Sequence, residues 1–267
     1  MLTVRDLSVL AGGVKILDGV SFDAPQGEIV GILGPNGSGK STLIRTILGL
    51  SARWSGSVIY NGQDVSALKP RRRARLFSYV PQNTFFSSLY TALECVVMGR
   101  YPNLKRFERY NARDFEMARA SLERVGLSGF ENRTVSTLSG GEAARVTCAR
   151  AITQNAPVML LDEPTSALDP KHSIEMTSLI RELADEGRLI ILSLHDINLA
   201  INDTDRLILL KGGRMFGEMR SRLVNEDVLH DLYDIPWEIW SAGGEKVVAI
   251  PGGSRCYSPS KMSPLIS

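Results

Sequence analysis

Cysteine is scarce: the 267 residues hold three, Cys95, Cys148 and Cys256, far apart and in no metal-ligand spacing. That excludes a disulfide scaffold and a zinc ribbon, and the expectation is reduced thiols in a cytosolic chain. An excess of one charge is also missing. With 31 basic and 29 acidic residues the net charge is +2, which gives no global field toward nucleic acid or anionic lipid, so no nucleic-acid partner is expected and any such surface has to be built locally. No apolar run approaches the roughly 18 to 20 residues needed to span a bilayer. The opening "MLTVRDLSVL" lacks a basic start followed by a long apolar stretch. The expectation is a chain that is neither transmembrane nor exported by a signal peptide, whose membrane role, if it has one, comes through a partner. Internal repeats and low-complexity tracts are absent.

What is present suits one large α/β domain with an inserted subdomain, long enough to bury a substantial core. Residues 2 to 30 read as short alternating segments, "LTVRDLSV", "KILDGVSFDA" and "GEIVGIL", broken by Gly12-Gly13 and Pro25-Gln26-Gly27. They predict an antiparallel strand group feeding a buried strand. "TLIRTILGL" then has helical spacing and a stop at Gly49. From about residue 84 to 155 the pattern is helical and charged, as in "ARDFEMARASLERVGL", which predicts a helical subdomain inserted in the core. The core resumes with "VMLLDEP" and "RLIILSLHD", near-continuous apolar runs of the kind a parallel sheet buries on both faces. The expected division is a domain over 1–220 and a C-terminal extension over 221–267, with the amphipathic "LVNEDVLHDLYDI", a segment "EKVVAI" and a loose final dozen residues.

"GPNGSGKS" fits G-x-x-x-x-G-K-[ST] after a strand and before a helix. Gly34, Pro35, Asn36, Gly37, Ser38, Gly39, Lys40, Ser41 and Thr42 would curl backbone N–H groups around phosphate, with the helix N-terminus adding its dipole. Lys40 would reach the β and γ phosphates of ATP and Ser41 would ligate Mg²⁺. Asp162 and Glu163 close a buried strand: Asp162 is the candidate Mg²⁺ residue, and Glu163 the candidate catalytic group that orients and polarises the attacking water. An ordinary glutamate is a poor base near pH 7, and a loose phosphoryl-transfer transition state asks little proton abstraction of it. His195 ends a second core strand at the same edge, where it could donate a hydrogen bond near the γ-phosphate, whereas His172 and His230 read as ordinary histidines. "LSGGE" reads as a capping box, Ser139 with Glu142, whose two glycines leave bare backbone donors at a helix start. One domain with one γ-phosphate to hold has no use for a second such site.

"GPNGSGKST", "VPQN", "LSGGE", "VMLLDEP", "SALD" and "SLHD", in that order, resemble the nucleotide-binding domains of ATP-binding-cassette ATPases, over roughly residues 2 to 220. No guanine-reading N-K-x-D is present. The resemblance implies a P-loop NTPase core with a parallel sheet, ATP and Mg²⁺ as cofactors, and a head-to-tail dimer with a second copy. In that dimer Ser139, Gly140 and Gly141 would contact the γ-phosphate of the partner's ATP and Asp169 would cross the interface. Gln82 would sense Mg²⁺ and the attacking water, a metal-linked and catalytic role, and connect the site to a transport subunit.

This sequence departs from the family pattern in two places. Where an aromatic residue often stacks on adenine stands Ala11, so adenine is expected on an aliphatic such as Ile16. After the signature, Ala143 and Ala144 replace the usual polar residues, while Arg145 matches. "ECVVMGRYPNLKRF" is similar to the importer branch for iron-siderophore, haem and cobalamin uptake, with iron chelate the leading expectation. That likeness implies a peripheral subunit at the cytoplasmic face of the inner membrane, beneath permease subunits and served by an extracytoplasmic binding protein. Residues 84–100 would then receive a coupling helix of the permease. The basic run "KPRRRARL" reads as solvated surface. The competing reading, a soluble member acting mechanically on protein or nucleic acid, is opposed by the single cassette, the lack of a coiled-coil insert and the balanced charge.

Overall fold

The computed structural model describes residues 1–82, 89–242 and 246–252. The chain opens with two antiparallel strands, β1 (Leu2–Ala11) and β2 (Val14–Ala24), joined at Gly12-Gly13 with both glycines left-handed. Inward residues of β1 change parity, from Leu2 and Val4 to Leu7 and Val9. A register shift between Val4 and Leu7, with Asp6 at φ 48°, inserts the extra residue that causes this. β3 (Ile29–Leu33), buried throughout, leads through the glycine loop into α1 (Lys40–Ile47), and Gly49 follows at φ 66°, the left-handed stop expected there. β4 (Trp54–Tyr60) and β5 (Gln63–Asp64) complete a four-stranded antiparallel sheet, order β2-β1-β4-β5.

After the short helix α2 (Pro70–Arg73) comes β6 (Phe77–Val80). The helical insertion follows: α3 (Ala92–Val97), running into a 3₁₀ turn at Met98–Asn103, then α4 (Ala112–Arg124) and α5 (Gly140–Gln154). Each of the three helices begins with a capping box, Thr91 with Glu94, Asn111 with Asp114 and Ser139 with Glu142, so their starts are written locally. The core resumes with β7 (Val158–Asp162), α6 (Pro170–Asp185), β8 (Leu189–Leu194), α7 (Ile197–Asp203), β9 (Arg206–Lys211) and β10 (Arg214–Arg220). Last come α8 (Glu226–Tyr233) and the hairpin of β11 (Trp237–Ala242) and β12 (Lys246–Pro251).

The main sheet has the order β10-β9-β3-β8-β7-β6, parallel except for β10, which pairs antiparallel with β9. Alternate residues of its strands enter two different cores, which is why the apolar runs are continuous. Ile29, Met159, Leu161, Ile190 and Leu192 join the core shared with the helices. Val30, Ile32, Val158, Leu160 and Ile191 face the antiparallel sheet and α1. Leu229 and Leu232 of α8 and Ala249 of β12 belong to the helix-side core, so these elements of the extension pack onto the domain.

The basic run at 69–76 is surface, as expected, with Arg71, Arg72 and Arg75 exposed, and the Nε atoms of Arg71 and Arg75 donate to the Pro102 carbonyl at 3.2 and 2.7 Å. Arg100 is likewise committed, its Nε donating to Asp114 Oδ1 at 2.9 Å. Part of the expected permease groove, residues 84–88, lies outside the described residues, as do the final dozen residues and Cys256.

Candidate nucleotide site

The site is assembled at the carboxyl ends of β3, β7 and β8, where parallel strands deliver polar residues from buried apolar runs. Gly34 begins the phosphate loop, and only glycine fits: a Cβ there would lie 2.0 Å from the Leu210 carbonyl oxygen. Gly39 stands at φ 101° immediately before α1 and presses on the β1–β2 hairpin, where a Cβ would come within 2.6 Å of Leu17 Cδ2. The loop is thus wedged between β9 and the hairpin.

The cleft holds about 760 Å³ and is lined by residues 36–42 together with Ile16, Gln82, Glu163, Ser166 and His195. Ile16 therefore stands where an apolar surface for adenine was expected, and Ala11 is not among the lining residues. Lys40 is buried, and its Nζ donates to the carbonyls of Gly34 at 2.7 Å and Pro35 at 3.2 Å. Burial lowers its pKa and the nearby Glu163 and Asp162 carboxylates act the other way. Its ammonium bridges the loop, ready to exchange carbonyls for phosphate oxygens.

Asp162 is fully buried. Its Oδ1 accepts from Ser41 Oγ at 2.8 Å and Ser193 Oγ at 2.6 Å, while its Oδ2 is buried without a hydrogen-bond partner. A buried carboxylate oxygen without a donor, beside an oriented hydroxyl, is a hard oxygen donor set of the kind Mg²⁺ takes. Among the described residues no group of three His, Cys, Asp or Glu side chains could hold a metal.

Glu163 follows at φ 51°, a left-handed conformation unusual for a glutamate. Its N–H donates to Ser193 Oγ at 3.0 Å, and Ser166 donates from both N and Oγ to its carbonyl, at 3.2 and 2.9 Å. These bonds hold the backbone in that turn and aim the carboxylate into the cleft. Gln82 Nε2 donates to Glu163 Oε2 at 2.7 Å, and His195 Nδ1 lies 3.6 Å from the same oxygen. The Glu163 side chain is 16% exposed and that of His195 is 53% exposed, so the histidine is the group on the open side. Sequence reasoning missed Ser193 and Ser166. A serine inside the apolar run "LIILSL" was the available signal, since a buried hydroxyl needs a partner.

The signature residues Ser139, Gly140 and Gly141 do not line this cleft. Ser139 Oγ accepts from Glu142 N at 3.3 Å and Ser139 N donates to Glu142 Oε2 at 2.7 Å, the expected capping box. A Cβ on Gly140 would meet nothing within 4 Å, so this glycine borders open space. Asp169 caps α6, accepting from His172 N at 2.9 Å and meeting His172 Nδ1 at 2.8 Å. His172 is thereby tied to a candidate site residue rather than an isolated surface group.

A family model described as ABC transporter matches residues 17–166, from the hairpin strand β2 to the turn after Glu163. The chain belongs to the ABC transporter family. Its glycine loop between β3 and α1 and its parallel sheet are the P-loop NTPase fold expected from the sequence. A cobalamin import ATP-binding protein of Halobacterium salinarum is 40% identical over 230 residues, which cover 85% of this chain and 57% of that protein. The chain thus spans little more than half the length of that relative. A hemin import ATP-binding protein of Agrobacterium fabrum is 39% identical over 223 residues, covering 80% of this chain and 84% of that protein. Among solved structures, a metal-chelate type ABC transporter in an inward-facing conformation superposes with a TM-score of 0.79 at 27% identity, covering 94% of this chain and 96% of that one. A dimeric ATP-binding cassette in a post-hydrolysis state, bound to ADP and phosphate, gives a TM-score of 0.76 at 30% identity, covering 84% of this chain and 100% of that one.

Proposed function

We propose that this ABC ATPase is the ATP-hydrolysing subunit of an importer for a metal chelate, the class that contains iron-siderophore, haem and cobalamin. It works over the expected domain 1–220 as a head-to-tail homodimer, peripheral at the cytoplasmic face of the membrane, beneath permease subunits supplied by an extracytoplasmic binding protein. The observation that carries the hydrolytic role is the Glu163 carboxylate at the cleft, held by Gln82 Nε2 at 2.7 Å with His195 beside it at 3.6 Å. The importer reading is supported by the names of the similar proteins from Halobacterium salinarum and Agrobacterium fabrum. No helix among the described residues is long and apolar enough to cross a membrane.

In this mechanism residues 36–42 wrap the phosphates and Lys40 turns from its two loop carbonyls to the γ-phosphate. Ser41 and Asp162 would hold Mg²⁺, which when bound neutralises phosphate charge. Glu163 orients the attacking water, and the hydrogen bond from Gln82 keeps its carboxylate from rotating away. His195 donates toward the γ-phosphate. The open donors at Gly140 and Gly141 close over the partner's nucleotide, so ATP binding joins the two copies and hydrolysis releases them.

Affinity purification from detergent-solubilised membranes of the native host tests the assignment. Recovery of an integral membrane permease with ATPase activity stimulated by chelate-loaded binding protein is the expected result. Recovery with soluble proteins alone would overturn the importer reading.

A further inference from the structure

A concavity of about 740 Å³ lies outside the nucleotide cleft, between the segment around α2 and the turn that follows Met98–Asn103. Every charged side chain lining it is basic: Lys69, Arg71, Arg72, Arg75, Lys105 and Arg106. In a chain whose net charge is only +2, this is local segregation of charge and not a reflection of composition. Crowding like charges is unfavourable unless an anion comes to them. The surface is also preorganised. Arg71 and Arg75 each spend one donor, Nε, on the Pro102 carbonyl, which pins both side chains across the two segments. Each guanidinium keeps its remaining donors for other partners.

Beside the basic residues stand two exposed aromatic rings. Phe107 is 90% exposed, at φ 67°, and Tyr101 is 65% exposed with the Arg71 guanidinium 5.9 Å from its ring centre. The left-handed backbone at Phe107 costs energy for a non-glycine residue, and here it presents an apolar ring with no core to enter. Lys105, Arg106 and Arg109 flank that ring in the sequence. Glu108, the acid of this stretch, accepts from the backbone N–H of Lys105 at 2.5 Å and does not line the concavity.

We propose that this face docks on the anionic phospholipid headgroups of the membrane surface, with Phe107 inserting at headgroup depth and the basic groups meeting lipid phosphates. Cations surrounding exposed aromatics are the composition of interfacial anchors. Their attraction to an anionic leaflet is about 1 kcal/mol for each basic residue near the surface. The contact adds a direct lipid tether to the proposed permease attachment and needs no permease to form.

The test uses the purified full chain and vesicles of phosphatidylcholine alone or with about 30% phosphatidylglycerol, at low salt and at about 0.15 M salt. The wild type is expected to sediment with the anionic vesicles and not the neutral ones, less so at the higher salt. The double variant Lys105→Glu/Arg106→Glu is expected to lose more than about 30-fold in vesicle affinity, the loss of two attractions plus the added repulsion, while binding ATP normally. Phe107→Ser should weaken vesicle binding without altering its salt dependence. It serves as the second variant should the double charge reversal fail to fold. Equal binding to both vesicle types, unchanged vesicle binding in the folded variants, or capture of an acidic peptide with no capture of vesicles would each overturn the proposal. ATP binding measured on the same samples separates such a failure from a failure of the ATPase assignment.

Discussion

Ser193 Oγ stands between two consecutive acidic residues, accepting the backbone N–H of Glu163 at 3.0 Å while donating to Asp162 Oδ1 at 2.6 Å. The hydroxyl is fully buried and ties the proposed metal residue to the proposed catalytic one. Without it, the positive φ of Glu163 loses a hydrogen bond that maintains it.

Ser193→Ala should therefore reduce ATP turnover by roughly tenfold, the scale of the 1 to 3 kcal/mol lost when a buried group is left unpaired. The effect is expected in kcat, with the KM for ATP little changed, because the lining of the phosphate loop does not include Ser193. Steady-state kinetics beside a thermal melt would separate a positioning role from a general loss of stability. Equal kcat in a variant of normal stability would remove Ser193 from the mechanism.

Glu163→Gln preserves shape and a hydrogen-bonding partner for Gln82 but removes the charge that orients water. Turnover should fall by about 10² to 10⁴, the range for a positioned acid-base group. Nucleotide binding should persist, and with hydrolysis blocked the ATP-bound dimer should accumulate. Phosphate release and equilibrium ATP binding check both halves of this expectation.

Ser139→Arg tests the composite site. A monomer's own cleft excludes residues 139–141, so its affinity for ATP should hold. A long cation in place of the small cap of α5 should block closure over the partner's nucleotide. Light scattering is then expected to report no ATP-driven dimer. A dimer of normal stability in this variant would sink the head-to-tail arrangement.

Burial pushes the Cys95 thiol up to about 11 and the Cys148 thiol up to about 12. At pH 8 only about a thousandth of Cys95 is thiolate, and less of Cys148, so neither should behave as a nucleophile. With Cys256 replaced by serine, the native protein should consume almost no alkylating reagent in an hour at pH 8, and both thiols should react at once in denaturant. Rapid labelling of the native form would show that α3 and α5, which carry these cysteines, open easily.

Much of the architecture was legible because it is encoded over short spans. The glycine loop between a strand and a helix, the Ser139–Glu142 cap, and the runs at 158–162 and 189–194 each declare themselves within a few residues. The parity change in β1 was harder to read, since a bulge at Asp6 leaves no unambiguous residue pattern. The link from the exposed Arg71 and Arg75 to the Pro102 carbonyl was not legible, because that acceptor lies in a separate segment.

By itself, then, the sequence determined which residues have the chemistry for phosphate, metal and water, and which strands and helices carry them, since strand, loop and helix signals are local. Only the tertiary structure decided that Gln82 reaches Glu163 across 81 positions and that Ser193 bridges Asp162 and Glu163. It also decided that Gly34 must admit the Leu210 carbonyl. The physical reason is that parallel strands far apart in the chain end at one edge of the sheet, and hydrogen-bond geometry at that edge depends on register and close packing rather than on residue type.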